Sequence, residues 1–165
     1  MKTLPTQQRL KELLDYDPET GDFHWKQWRG YTAKTGAKAG SINNGYIQIY
    51  IDGVPHKAHH LAWIYHHGCN PKGKLDHWDC NEQNNRILNL REATSSQNNS
   101  NRNIQKNNTS GVKGVFWHKG TERWSTQVKS NGKTYGAGYH KSIEAAKLAV
   151  ENKRLELHGE FANNG

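Results

Sequence analysis

Seven of the 21 residues from 81 to 101 are asparagine, and no other feature limits so strongly what this chain can build. Asparagine side chains compete with the backbone for its own hydrogen bonds, so such a stretch favours turns over a long helix. Its large apolar residues, Ile87, Leu88 and Leu90, stand among the first asparagines. Those three argue against a structureless linker over 85–91, whereas a low-complexity linker remains an open alternative over 99–109. The stretch divides a chain whose two flanks are both regularly patterned. With 33% hydrophobic residues and a mean hydropathy of −1.05, two small units are expected rather than one large core.

Upstream, residues 6–14 place Leu10, Leu13 and Leu14 on one side of a short amphipathic helix. Asp17-Pro18-Glu19-Thr20-Gly21 is a turn, followed by a strand over 22–26 and a Gly- and Lys-rich loop over 28–39. Residues 46–52 alternate, with Ile47, Ile49 and Ile51 on one face, and Asp52-Gly53 makes the hairpin turn. Residues 58–67 read as a helix stopped by Gly68, and 74–78 as a short extended piece. Downstream the pattern is strand, strand, strand, helix. The strands are expected over 112–118, 123–129 and 133–139, with Asn131-Gly132 as the tight turn before the last. Ser142 caps a helix to about residue 157, with Ile143, Ala146, Ala149, Val150 and Leu157 as its buried stripe and Gly159 as its end.

Net charge is +8, and its distribution is uneven. Residues 102–135 hold seven Lys or Arg against one acid, Glu122, a surplus of six out of the eight. A concentrated patch of this kind points to a polyanionic partner. No apolar run is long enough to span a bilayer, and Met1-Lys2-Thr3-Leu4-Pro5 lacks the apolar core of a secretory signal, so a cytoplasmic protein is expected. Cys69 and Cys80 are too few for a disulfide framework, and with the histidines their spacing fits no common zinc site. Two reduced thiols are expected.

Cleaving a phosphodiester requires a base for water, countercharge for the anionic transition state, and neutralisation of the leaving oxygen. A neutral imidazole serves the first need near pH 7, and a hard divalent cation on oxygen ligands serves the other two. Asp76-His77 sets a carboxylate and an imidazole side by side on an extended segment, where consecutive side chains point to opposite faces. Alone, such a pair is an ordinary surface feature.

Its surroundings change that. Leu75-Asp76-His77, Asn81, Asn84-Asn85-Arg86, Asn89-Leu90-Arg91-Glu92-Ala93-Thr94 and Gln97-Asn98-Asn99, in this order, resemble the motif of HNH endonucleases, most closely the phage homing type. The likeness extends upstream through His59-His60-Leu61-Ala62-Trp63. It implies a ββα-metal fold clamping one cation, with His77 as general base and Asp76 and Asn98 as metal ligands. It also implies that Asn89, within the helix, fixes the loop carrying His77, that Asn81 and Asn85 shape the hairpin, and that His59 is structural. One carboxylate and one neutral amide suit a single Mg2+ shared with DNA, with Mn2+ as a substitute. The chain departs from the family at Cys80, where glycine is usual, and at His60, where arginine is common.

In the last third, Ser110-Gly111-Val112-Lys113-Gly114-Val115, Trp124, Glu144-Ala145-Ala146 and Leu157-His158-Gly159-Glu160-Phe161-Ala162 resemble the APETALA/ethylene-response-factor DNA-binding domain. Alternation in the middle strand puts Trp124, Thr126 and Val128 under the helix. Arg123, Ser125, Gln127 and Lys129 then form an open, donor-rich face suited to a major groove. By position, the resemblance makes Lys113, Phe116, His118, Arg123, Gln127, Lys129 and Tyr135 DNA-facing, with Phe116 where plant members have arginine. Trp117 and Trp124 are expected in the small core. Trp25, Lys26, Trp28, Arg29 and Lys34 read equally as DNA-backbone contacts or as support for the nuclease unit.

The expected architecture is α+β: a β-rich support region over 1–57, a ββα-metal nuclease domain over 58–101 and a linker over 102–109. A three-stranded antiparallel sheet packed on one helix completes it over 110–165. The expected function is a metal-dependent, site-recognising DNA endonuclease of homing type, phage-encoded and acting in the bacterial host cytoplasm. It would work as a monomer on double-stranded DNA, without membrane or obligate protein partner, nicking one strand to leave 5′-phosphate and 3′-hydroxyl ends. The competing readings are a non-catalytic DNA-binding regulator with a decayed nuclease fold and a non-specific nuclease.

Overall fold

Thr6 begins the first element of the computed structural model, which describes residues 4–31 and 33–165. Its hydroxyl accepts the Arg9 N–H and caps α1 (Gln7–Leu13), whose Leu10 and Leu13 are buried. β1 (Leu14–Tyr16) pairs antiparallel with β2 (Phe23–Trp25). The turn joining them lies against a distant loop: a Cβ on Gly21 would sit 2.4 Å from the Arg86 nitrogen and 2.6 Å from the Asn85 carbonyl carbon. Because φ there is +78°, Gly21→Ala combines backbone strain with a clash against main chain. We expect it to cost about 2–3 kcal/mol in chemical denaturation.

β3 (Ser41–Asn43), β4 (Tyr46–Ile51) and β5 (Val54–Lys57) follow as an antiparallel sheet with β4 in the middle. Ile49 and Ile51 are buried and Ile47 packs at the margin, as the alternation predicts. α2 (Ala58–His67) packs on α1, β4 and β5 through Ala58, Leu61, Ala62 and Ile64. β6 (Lys74–His77) and β7 (Leu90–Ala93) pair as a separate two-stranded sheet, and Leu90 joins the core of Leu10, Leu14, Phe23 and Leu61. This first unit runs to Glu92.

The second unit spans Ala93–Gly165 and begins with α3 (Ser95–Ser100). A capping box closes its start: Thr94 Oγ1 accepts from Gln97 N–H, and Gln97 Oε1 accepts from Thr94 N–H. β8 (Val115–His118), β9 (Arg123–Ser130) and β10 (Lys133–His140) form one antiparallel sheet with β9 central. α4 (Ile143–His158), capped by Ser142, covers one face and buries Ala146, Val150 and Arg154. Four buried apolar residues, Val115, Val128, Ala146 and Val150, make this core. β8 starts three residues later than expected because Ser110 Oγ bonds the carbonyls of Val112 and Val115, at 2.9 and 2.7 Å, and so bends 110–115 into a turn.

The compact units divide after Glu92, whereas the sequence reading placed the linker at 102–109 and kept residues up to 101 with the nuclease domain. α3 packs on β9 and on the 3-10 turn after α4, Gly159–Phe161. Asn131 N–H donates to Ser96 Oγ at 3.0 Å, and Asn163 Nδ2 donates to the Asn101 carbonyl at 2.8 Å. Residues 102–109 therefore belong to the second unit. The bonds that hold 96–101 there reach 35 and 62 positions along the chain, where no local pattern announces them.

Two side chains also differ from expectation. Trp117 is 47% exposed and meets Trp124 edge to face, with ring centroids 5.2 Å apart. It lies on outer strand β8, and of the pair Trp124 alone packs against the core. Tyr135 stands opposite Val128, so the register puts it on the helix side of the sheet rather than on the open face. No helix among the described residues is long and apolar enough to cross a membrane.

Candidate active site

The loop between β6 and β7 is a chain of side-chain-supported turns. Asp79 Oδ1 accepts the Asn81 N–H at 2.8 Å, and Asn81 Oδ1 accepts the Gln83 N–H at 3.1 Å. Asn89 grips the loop from three sides. Its Oδ1 accepts Asp79 N–H at 3.1 Å, and its Nδ2 donates to Asp79 Oδ1 and to the Asn84 carbonyl, each at 2.9 Å. Asn84 Nδ2 adds a 2.6 Å bond to Asp79 Oδ2. Burial pushes the Asp79 carboxyl up, but the bonds from Asn84, Asn81 and Asn89, with nearby His77, outweigh it and hold the pKa below the usual value. The resemblance implied that Asn89 lies within the α-helix, and the structure places it in a 3-10 turn ahead of β7. It closes a single 3-10 turn, Ile87–Asn89, because Asn81, Asn84 and Asn85 bind backbone groups of Gln83 and Arg86 that a longer helix would need.

Cys80, where the family carries glycine, has φ +59°. A side chain in this left-handed region costs roughly 1–2 kcal/mol. Cys80→Gly is therefore expected to raise stability by about 1 kcal/mol, seen as a higher urea midpoint.

His77 is buried, with Nε2 3.5 Å from Asn85 Oδ1, the outer limit of a hydrogen bond. The His59 ring stands perpendicular to it at 4.9 Å, and the Tyr46 ring lies 6.3 Å away. Buried Asn85 donates Nδ2 to the Gln83 carbonyl, while its own carbonyl accepts the Tyr16 hydroxyl at 2.7 Å. Tyr16 thus ties β1 to the loop below His77, a support that no sequence motif signalled.

Burial lowers the pKa of His77 against the opposing pull of Asn85, Asp79, Asp76 and Glu82. Burial likewise drives His59 down to about 2, helped by neighbouring His60, His77 and Lys57, and lowers His60. All three are neutral at pH 7. The unfolded chain accepts protons near pH 6.5 that the native state refuses, so stability is complete above that pH and is lost below it. We expect the denaturation midpoint to fall between pH 7 and 5, by up to about 1.4 kcal/mol per unit for each histidine. His59→Phe should flatten the slope; an unchanged slope would remove His59 from this account.

Asp76 is 4% exposed, and its Oδ2 receives Arg91 Nε at 2.9 Å. The Arg91 guanidinium also lies 4.5 Å over the Trp78 ring, and Trp78 is 56% exposed beside His77. Arg91 belongs to the quoted motif, yet the sequence assigned it no role. Asn98 lies half-buried in α3, in the second unit. Among the described residues, no three His, Cys, Asp or Glu side chains converge as a metal cage. Cys69 is exposed and Cys80 half-buried. Asp76 and Asn98 lie in different units, and each offers a hard oxygen donor.

In the second unit, the open sheet face carries exposed Phe116, Arg123, Gln127 and Lys129 with half-buried His118, whose Nδ1 lies 3.0 Å from Thr121 Oγ1. Ser125 shares this face but is buried, with Phe116 opposite it on one side and Tyr139 on the other. A bulge between Gly136 and Tyr139 turns Tyr139, 53% exposed, to the open face. Sequence alternation could not show this residue. Lys113 corrects an expectation: its ammonium donates to the carbonyls of Ser100, Arg102 and Asn163 and braces the fold from within the second unit. In the first unit, Trp25 is core, Lys26 bonds the Lys11 carbonyl, and Arg29 pairs with Asp52, which favours support over DNA contact for these three. Trp28 is exposed, and Lys34 lies over the exposed Tyr31 ring.

A buried Asp-His pair on a short strand, with asparagines locking the following loop, defines the class: residues 56–100 match the family described as HNH endonuclease. The chain is also 36% identical over 122 residues to Protein 3.8 of Escherichia phage T7, which covers 73% of this chain and 98% of that protein. The chain belongs to the family of that phage protein and carries an HNH nuclease domain. No solved structure matches it.

Proposed function

We propose that this protein is a metal-dependent, site-recognising DNA endonuclease of homing type that nicks one strand per encounter. The observation that carries the reading is the three-sided grip of Asn89 on the loop after His77, which supports a fixed position for the imidazole. The resemblance implies a ββα unit, and in this reading β6 and β7 are its two strands. His77 takes a proton from the attacking water. With Nε2–H toward Asn85 Oδ1, the basic lone pair lies on Nδ1, and burial keeps the ring neutral and ready at pH 7. Asp76 and Asn98 would hold a divalent cation, Mg2+ or Mn2+, which when bound supplies countercharge to the phosphate and the leaving oxygen. Asn81 and Asn85 shape the loop, and His59 walls the His77 ring.

The second unit acts as the reader, an APETALA/ethylene-response-factor-like sheet. Phe116, His118, Arg123, Gln127 and Lys129 meet the DNA, with Tyr139 added and Lys113 and Tyr135 withdrawn. One site per monomer implies a single-strand cut, leaving 5′-phosphate and 3′-hydroxyl ends. Supercoiled plasmid incubated with Mg2+ should become nicked circles broken at preferred positions, mapped by sequencing the ends. Breaks scattered at random would favour a non-specific nuclease, and an intact plasmid would favour a non-catalytic regulator.

A further inference from the structure

The second unit holds a half-open cleft of about 800 Å3 beside the part of β9 that extends past its pairing with β8. Arg102, Lys113, Lys129, Arg154 and His158 line it, together with hydroxyl and amide side chains. Among the described residues that line it, none is Asp or Glu. Such one-sided lining is unusual for a surface on which both charge signs ordinarily mix.

The floor is more unusual still. Arg154 is 3% exposed, and a buried arginine normally faces a carboxylate. Here Nη2 donates to the Lys113 carbonyl at 2.6 Å and Nη1 to Asn164 Oδ1, both neutral acceptors. Glu151, three residues earlier on α4, attracts the guanidinium through space and also lies 4.0 Å from Lys147 Nζ. An arginine stays protonated even when buried, so a positive charge lies beneath the cleft. Lys113 fixes the wall, since its ammonium bonds three carbonyls of the surrounding segments. His158 Nδ1 lies 3.2 Å from Ser100 Oγ, and burial, helped by Arg154 and Lys113, disfavours its protonated form. Exposed Arg102 and Lys129 stand at the mouth.

We infer that this cleft is a seat for DNA backbone phosphates, separate from the base-reading face and joined to it at Lys129. The inference rests on the reading of the second unit as a DNA-binding module. Phosphate oxygens accept from Arg102 and Lys129 at the mouth, while Arg154 supplies attraction from below without touching the strand. Contacts of this class set the register of a protein on DNA and are indifferent to sequence. The open mouth suits a strand lying across it better than an enclosed small anion.

The test uses the full chain in EDTA, with binding to labelled duplexes followed by fluorescence anisotropy across a salt series. Arg102→Ala, an exposed substitution, should weaken binding equally on preferred and scrambled duplexes. It should also reduce the slope of log affinity against log salt by about 0.9, the loss of one phosphate contact. Arg123→Ala, on the reading face, should weaken the preferred duplex more than the scrambled one. Wild-type affinity and slope in Arg102→Ala, with binding weakened in Arg123→Ala, overturn the phosphate seat and leave the reader intact. A loss confined to one duplex would make Arg102 a base-reading residue and also overturn it. If neither variant changes binding, the DNA-binding reading of the whole unit falls.

Discussion

His77→Ala is expected to slow Mg2+-dependent plasmid nicking by about 100- to 10,000-fold, the range that a positioned general base contributes. The expectation follows from how the ring is held. His59 stands against it edge-on at 4.9 Å, Asn85 lies at Nε2, and the loop after it is locked by Asn89. Because burial lowers the His77 pKa, the rate should persist to pH values below about 6.5, where an ordinary imidazole is half protonated. The pH profile separates loss of a base from loss of the fold. Asn89→Ala should retain an acid limb but lower the plateau, since the imidazole survives while its loop loosens. Nicking by His77→Ala at the wild-type rate would require another base and end the assignment.

The second large effect belongs to Arg91. Its Nε is 2.9 Å from Asp76 Oδ2, and the carboxylate is almost wholly enclosed. Arg91→Ala removes the cation beside that buried carboxylate and from the face of Trp78. Removing one partner of a buried pair costs about 3–5 kcal/mol, so Arg91→Ala is expected to unfold at much lower urea concentration. The double variant Arg91→Ala with Asp76→Asn should recover much of the loss, because no charge is then left unpaired. If Asp76 holds a cation as proposed, Mg2+ should stabilise Arg91→Ala more than the wild type. A loss below about 1 kcal/mol would mean that solvent reaches Asp76 and that the pair matters little.

Much of the fold was written in local patterns. Residues with strong periodicity or explicit stop signals, such as Thr6, Gly68, the Asn131-Gly132 turn and Ser142, mark the elements where they occur. These are interactions between near neighbours, and a reading of neighbours finds them. Asp76 and His77 were legible for the same reason, through the order of asparagines around them. Tyr16, Arg91, Tyr139 and the bracing of Lys113 were not, because each depends on a partner at a distance, a strand register or a bulge.

The asparagine-rich stretch shows where the division falls. Its composition by itself determined that 81–101 would turn rather than form one long helix, since short amide side chains bond the backbone beside them. Only the tertiary structure decided that Asn89 would reach back ten residues to hold Asp79, and that Asn101 would be tied to Asn163. An amide has the same donors and acceptors wherever it stands. Which backbone group it meets is settled by strands and helices packed from elsewhere in the chain.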